Sequence, residues 1–259
     1  MALKPAPPVT PTMPPTLSDA LGVDGDSVFV AVGAGGKKTL IYALADELSD
    51  AVVTATVKMP KFGGHVERTV LTDDPVSAAR EATERPLGLA RDGDRSDRYL
   101  GYDPEVVDDL AASGATPLLV KGDGARTRLL KAPKEGEPPI PNAATVVAPL
   151  ASVRVVGQPL TEEAVHRPKR VAELTDVAAG NEIRPKHVAD VLAHPDGGLK
   201  NVPDGADAVP VVNMADTEET VETAREIAAG VLERARSVPR VLVTRLIHDD
   251  PVVDVLERD

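Results

Sequence analysis

One segment constrains this chain more than any other. Val28-Phe29-Val30-Ala31-Val32 is an unbroken apolar run that passes directly into Gly33-Ala34-Gly35-Gly36. Lys37-Lys38-Thr39 then opens a stretch with Leu40, Leu44 and Leu48 at four-residue spacing. An apolar run bounded by turn residues reads as a strand buried on both faces, and leucines four apart mark one face of a helix. Glycine between them admits positive φ and lets backbone amides approach a ligand. The helix N-terminus adds unpaired N–H groups and a partial positive charge. Together with Lys37 this predicts a cradle for phosphate. Neither standard fingerprint fits. G-x-G-x-x-G would need its third glycine at Lys38, and G-x-x-x-x-G-K-[ST] is longer and wants a hydroxyl where Lys38 stands.

The rest of the chain repeats the same grammar. Apolar runs predict strands over 51–56, 118–120 and 209–213, with a last strand over 241–244. Shorter strands are expected at 145–149 and 153–156, separated by turn-like residues, and an extended piece at 86–90. Helical periodicity falls near 75–84, 104–112, 184–193 and 217–236. Strands alternating with helices imply an α/β fold, a largely parallel, doubly wound sheet with a P-loop-like first βα unit. Six prolines within residues 1–16 set that stretch apart as a flexible, Pro-rich tail, leaving 17–259 as a single domain in which Thr16 or Ser18 caps the first turn. Open sheets of this kind bind ligands at the carboxyl ends of their strands. Gly33–Thr39, Thr54–Lys61, Gly122–Lys131 and Asn213–Asp216 all fall there.

Charge narrows the function. With 29 Lys and Arg against 41 Asp and Glu the net charge is −12, which argues against nucleic acid as a partner, since phosphate backbones need a basic face. No cysteine is present, so disulfides and cysteine-ligated metals are excluded. No run reaches the roughly 18 apolar residues of a membrane span, and the early prolines replace the apolar stretch of a signal peptide. The expectation is a salt-adapted, halophilic-type cytoplasmic protein without a membrane partner. Seven of the eleven lysines (37, 38, 58, 61, 121, 131 and 134) lie beside the glycine-rich and strand-end segments. Such placement in an acidic chain suits an anion site. Asp123, between two glycines after an apolar strand, can face the phosphates or serve as a turn residue. Arg126, Arg128 and Lys131 suit the clamping of anionic groups. No Ser-His-Asp pattern or metal-ligand spacing of histidines is present.

Several motifs in order resemble the YqeC family, accessory proteins of selenium-dependent molybdenum hydroxylases. Val32 to Leu40 is similar to its G-x-G-G-K-T-[ST] loop, and Val53 to Met59 to its T-T-T-x-K strand end. Asp123-Gly124-Ala125-Arg126 with Leu130-Lys131-Ala132-Pro133 resembles E-A-D-G-[AS]-R…L-K-A-P. Glu137 to Pro141 resembles E-P-x-I-P, Val165 to Pro168 resembles V-H-R-P, and Gly197 to Lys200 precedes Asn213 to Asp216, where the family reads N-K-A-D. The resemblance implies a P-loop NTPase-like protein that binds ATP or GTP. Its partners would be a molybdenum hydroxylase or its cofactor-maturation proteins. Nucleotide would be held by Gly33, Ala34, Gly35, Gly36, Lys37, Lys38, Thr39, Asn213 and Asp216. Substrate would meet Thr56, Lys58, Arg126, Lys131, His166 and Arg167, with Lys37 and Asp123 catalytic. Four departures stand out: Lys38 for a hydroxyl residue, Lys121 for an acid, Met214 for the lysine of N-K-x-D, and Ala55 within the threonine-rich strand end. The first two bear on Mg²⁺. Either the two lysines replace the metal, or Thr39 and Asp123 hold it. Two rival functions follow: a nucleotide-binding scaffold or sensor without hydrolysis, and an ATP-dependent ligase or kinase acting on a small anionic metabolite.

Overall fold

The computed structural model describes residues 15–93 and 97–258, so residues 1–14 of the expected tail lie outside it. The chain begins with α1 (Leu17–Leu21), capped by the Thr16 hydroxyl, then β1 (Val28–Gly33), α2 (Lys37–Glu47), β2 (Val52–Ala55), β3 (Met59–Pro60) and β4 (Arg68–Leu71). Next come α3 (Pro75–Glu81), β5 (Leu87–Ala90), β6 (Arg98–Tyr99), α4 (Pro104–Ala112), β7 (Leu118–Lys121), β8 (Leu130–Lys131) and β9 (Val146–Ser152). The last part holds β10 (Val165–His166), α5 (Pro168–Leu174), α6 (Pro185–Ala193), β11 (Asp207–Ala208), β12 (Val211–Asn213), α7 (Glu218–Arg234), β13 (Arg240–Thr244) and β14 (Val252–Glu257).

Ten strands form one sheet in the order β14-β13-β12-β9-β1-β7-β2-β5-β4, with β11 paired to β9. All pairs are parallel except β13 with β14. The chain therefore leaves β1, skips a position for β2, and later inserts β7 on one side of β1 and β9 on the other. That reversal opens a crevice at the carboxyl end of β1, where open α/β sheets bind ligands.

Alternation along the central strands fixes both faces. Phe29 and Ala31 of β1 pack with Leu40, Ile41 and Leu44 of α2 and with α1. Val28, Val30 and Val32 face the other way, toward Val107 and Leu110 of α4. On the same side, farther along the sheet, Val212 and Val243 pack with α6 and α7 through Val188, Ile227 and Val231. The layers are built almost entirely from Val, Ala and Leu. Small, branched side chains suit a sheet covered twice, because each strand must bury both its odd and its even residues.

Three expectations need correction. The segments 145–149 and 153–156 are not two strands: β9 runs unbroken to Ser152, and Val153–Val155 is a 3₁₀ turn. Pairing explains this, for β9 meets β1 up to Gly33↔Leu150 and β12 up to Asn213↔Ser152. The strand at 240–244 is not the last, since β14 adds an antiparallel edge. β4 forms the opposite edge and was unforeseen as well. Edge strands bury less, so their apolar signal is weaker.

Candidate functional site

Gly33 (φ +86°) and Gly36 (φ +137°) turn the chain out of β1 and into α2 in backbone regions that disfavour a Cβ. A Cβ would also strike the Leu150 carbonyl at Gly33 and the Asn213 amide at Gly36. The loop is thus pressed against β9 and β12. Its first amides are engaged there: Gly33 N–H donates to Asp123 Oδ2 at 2.9 Å, Ala34 N–H to Leu150 O at 2.9 Å, and Gly35 N–H to Arg128 O at 3.2 Å. The donors left over in the first turn of α2 are the amides of Lys37, Lys38 and Thr39, which lack intrahelical partners, whereas Leu40 N–H already donates to Gly36 O at 3.0 Å.

Behind the loop runs a chain of alternating charges. Lys37 Nζ hydrogen-bonds Gly33 O and lies 3.0 Å from Asp123 Oδ1, a contact that lacks hydrogen-bond geometry. Lys131 Nζ sits 2.7 Å from Asp123 Oδ2 and 3.1 Å from Glu137 Oε2. Arg167 closes the series with two 2.8 Å bonds to Glu137. Four separate sequence motifs, the glycine loop, D-G-A-R…L-K-A-P, E-P-P-I-P and V-H-R-P, are thereby one connected structure. Burial would raise the Asp123 carboxyl, but Lys37, Lys131 and the Gly33 amide outweigh it and hold the group low. Burial likewise opposes Glu137, and its bond from Arg167, with Lys131 behind it, keeps that group low too. Burial pulls Lys37 down, and Asp123 opposes the shift.

In front of the loop lies an open cleft of about 480 Å³. Lys37, Lys38, Lys58, Arg98, Lys121, Arg126 and Arg128 line it, seven cations among fourteen lining residues with no carboxylate. Among the described residues, no carboxylate pairs with Lys38, Lys58, Arg126 or Arg128, while Arg98 lies 3.5 Å from Asp97. Lys121 is buried and donates to Asp123 O at 2.7 Å and Lys58 O at 3.2 Å. Burial, with Lys37 adding repulsion, lowers its ammonium to about 7. Arg126 (φ 50°) and Thr127 (φ 62°) hold left-handed backbone at the rim, a strained choice for a β-branched residue. A second open compartment of about 660 Å³ adjoins the first, sharing Lys58, Arg98, Gly124 and Arg126, and is lined further by Lys134, His166 and Arg167 with Glu137 and Glu162. Burial and then Arg167 and Lys131 lower His166 to about 4, so its imidazole is neutral at pH 7.

The structure distributes the sequence-derived residues unevenly. Gly35, Gly36, Lys37, Lys38 and Thr39 line the first compartment; Lys58 and Arg126 line both, and His166 and Arg167 only the second. Lys131 lines neither, because Asp123 and Glu137 hold it in the interior with its side chain 1% exposed. Thr56 is turned onto Pro139 O at 2.7 Å. Asn213 is buried and occupied: its amide donates to Gly35 O at 2.8 Å, and its Oδ1 accepts from Thr244 and from Leu246 N–H. Asp216 lies in a different groove, paired with Arg154 at 2.7 Å and His248 at 3.2 Å. The remnant of N-K-x-D thus braces the loop through Asn213 and leaves the cleft without Asp216. Arg98 and Glu137 escaped the residue-level reading. Arg98 comes from β6, whose two-residue pairing with β3 is too short to show in sequence, and Glu137 was visible only as part of a proline motif.

Asp123 is not placed to hold magnesium, while Thr39 lines the cleft. The ion demands octahedral oxygen ligands, yet Asp123 is flanked by two ammonium groups and a backbone N–H. No group of three His, Asp or Glu side chains suited to a metal occurs among the described residues. No helix among them is long and apolar enough to cross a membrane.

Comparison with known proteins places these motifs in one lineage. The family model described as YqeC protein matches residues 30–169, which is 140 of the 259 residues. The chain is 28% identical over 194 residues to "Uncharacterized protein YqeC" of Escherichia coli (strain K12), covering 72% of this chain and 75% of that protein. No solved structure matches. The matched stretch takes in β1 from Val30 on, the glycine loop, the alternating ion chain and the V-H-R-P turn, more than half of the sequence, and the chain belongs to the YqeC family.

Proposed function

We propose that this protein binds a nucleotide, ATP or GTP, by its phosphate groups in the cleft before the glycine loop. The setting is that of an accessory protein in the maturation of selenium-dependent molybdenum hydroxylases, the role its family resemblance implies. One observation carries the binding reading: no carboxylate lines a cleft that holds seven basic residues in a chain of net charge −12, and four of them, Lys38, Lys58, Arg126 and Arg128, have no carboxylate partner among the described residues. Uncompensated positive charge repels itself and destabilises the fold unless an anion completes it. A triphosphate supplies that charge, with the first-turn amides of α2 and Lys37 at one end and Arg126 and Arg128 at the other.

A second reading has its own support. Asp123, the carboxylate best placed to organise metal or water, is held between Lys37 and Lys131. This favours phosphate binding without metal-dependent hydrolysis, a scaffold or sensor. The adjoining compartment, lined by neutral His166 together with Arg126 and Arg167, suits the anionic acceptor that a ligase or kinase would need. Titration calorimetry with ATP and GTP, each in Mg²⁺ and in EDTA, tests the proposal. Binding in both buffers is expected. Absence of binding in both would overturn it, binding in Mg²⁺ alone would remove the metal-free reading, and Mg²⁺-dependent turnover would remove the scaffold reading.

A further inference from the structure

Placing the phosphates in this cleft leaves the base unaccounted for, because Asn213 is occupied inside the fold and Asp216 faces another groove. A smaller cavity of about 250 Å³ lies on the other side of Lys38 and Thr39, residues it shares with the phosphate cleft. Tyr42, Asp46, His65 and Leu246 complete it. Here the Tyr42 and His65 rings stack face to face, with centroids 4.0 Å apart and planes 6° from parallel. Tyr42 is buried from the core side of α2, while His65 is exposed. The chain has only five Phe, Tyr or Trp residues and five histidines, so a stacked pair beside the phosphate loop is an uncommon feature of this molecule.

We infer that this cavity seats the nucleobase, stacked on His65 and backed by Tyr42, with its N–H edge toward Asp46. This rests on the phosphate-cleft reading and extends it. A buried ring behind His65 fixes its plane, so an aromatic base meets a preformed platform; stacking of this kind tolerates any base. Asp46 is an acceptor only, which matches the amino donor of adenine and the amino and imino donors of guanine. Leu246 supplies an apolar wall from the loop after β13. Lys38 and Thr39, common to both cavities, lie where the α-phosphate and ribose would join the two. Lys38 therefore serves the sugar-phosphate junction as well as the triphosphate.

The test compares ATP and GTP with inorganic tripolyphosphate, which carries the charge without a base, on the full chain and on His65→Ala and His65→Phe. The parent should bind both nucleotides more tightly than tripolyphosphate. His65→Ala should weaken nucleotide binding about fivefold or more, the lower end of base–aromatic stacking, and leave tripolyphosphate unchanged. His65→Phe should restore the difference, because it keeps the ring and loses the imidazole. Equal affinity of the parent for nucleotides and tripolyphosphate would overturn the base seat while leaving the phosphate cleft standing. So would a His65→Ala variant that binds nucleotides as the parent does, or one that loses tripolyphosphate in equal measure. Failure of all three ligands to bind the parent would remove the phosphate cleft and the base seat together.

Discussion

Asp123→Asn probes the interior ion chain most directly. The substitution keeps the shape of the side chain and removes the negative charge that lies 3.0 Å from Lys37 Nζ and 2.7 Å from Lys131 Nζ. Removing one partner of a buried pair costs about 3–5 kcal/mol, because the other charge stays behind uncompensated. Two features place this case at the low end. Lys131 keeps Glu137 at 3.1 Å, and Lys37 keeps its hydrogen bond to Gly33 O. About 3 kcal/mol corresponds to a fall in Tm of roughly 6–12 °C for a chain of this size. The acid limb of stability should change as well. Asp123 has a folded pKa below its unfolded value, so its contribution is present above the unfolded pKa, about 4, and is lost as pH falls through the folded one. The variant should lack that component of acid destabilisation. Thermal melts from pH 3 to pH 8, with the Lys131→Met single and the double variant, complete the assay. The cycle should show a coupling of about 1–3 kcal/mol. Tripolyphosphate should bind the variant at least as tightly as the parent, since Lys37 is released. Melting within 2 °C of the parent on the scale expected here, together with additive single effects, would refute the reasoning. A loss of phosphate affinity would show that Asp123 holds a cation that accompanies the ligand.

Lys37→Ala should weaken nucleotide binding by about 1.5–3 kcal/mol, the range for hydrogen bonds to charged groups, with the fold retained; calorimetry reads it. Phosphate affinity should fall as pH rises through about 7, where burial places the Lys121 ammonium, and Lys121→Met should flatten that profile. The sign follows because the protonated lysine adds a cation to the cleft, although its neutral amine still donates hydrogen bonds. Lys38→Thr combined with Lys121→Glu should create Mg²⁺ dependence that the parent lacks, measured as the ratio of nucleotide affinity in Mg²⁺ and in EDTA. Gly36→Ala should disrupt the loop and weaken binding, because its φ of +137° is strained and the new methyl meets the Asn213 amide; circular dichroism and calorimetry separate local from global loss.

Much of the fold was legible because its information is local. Val28–Val32, Leu118–Val120 and Val241–Val243 announce strands buried on both faces, and Leu40, Leu44 and Leu48 announce the helix, through side-chain period alone. The glycine loop at their junction marked the end of β1 where the cleft opens for the same reason. The edges of the sheet, β4 and β14, stayed hidden because half-buried strands carry little apolar signal. β9 reads in sequence as two pieces because its continuity depends on neighbours distant in the chain, Gly33 paired with Leu150 on one side and Asn213 paired with Ser152 on the other.

The roles of the site residues were decided only by the tertiary structure. Lys131 reads in sequence as a substrate clamp, yet it lies inside, between Asp123 and Glu137. Asn213 reads as part of a base-recognition motif, yet its amide supports Gly35. Arg98 carries no motif at all, yet the β3–β6 pair brings it to the rim of the cleft. A sequence shows which charges a chain owns and roughly where strands end. Whether a lysine meets a carboxylate or an open cavity depends on partners brought from other loops, and electrostatic energy at 3 Å depends on that meeting.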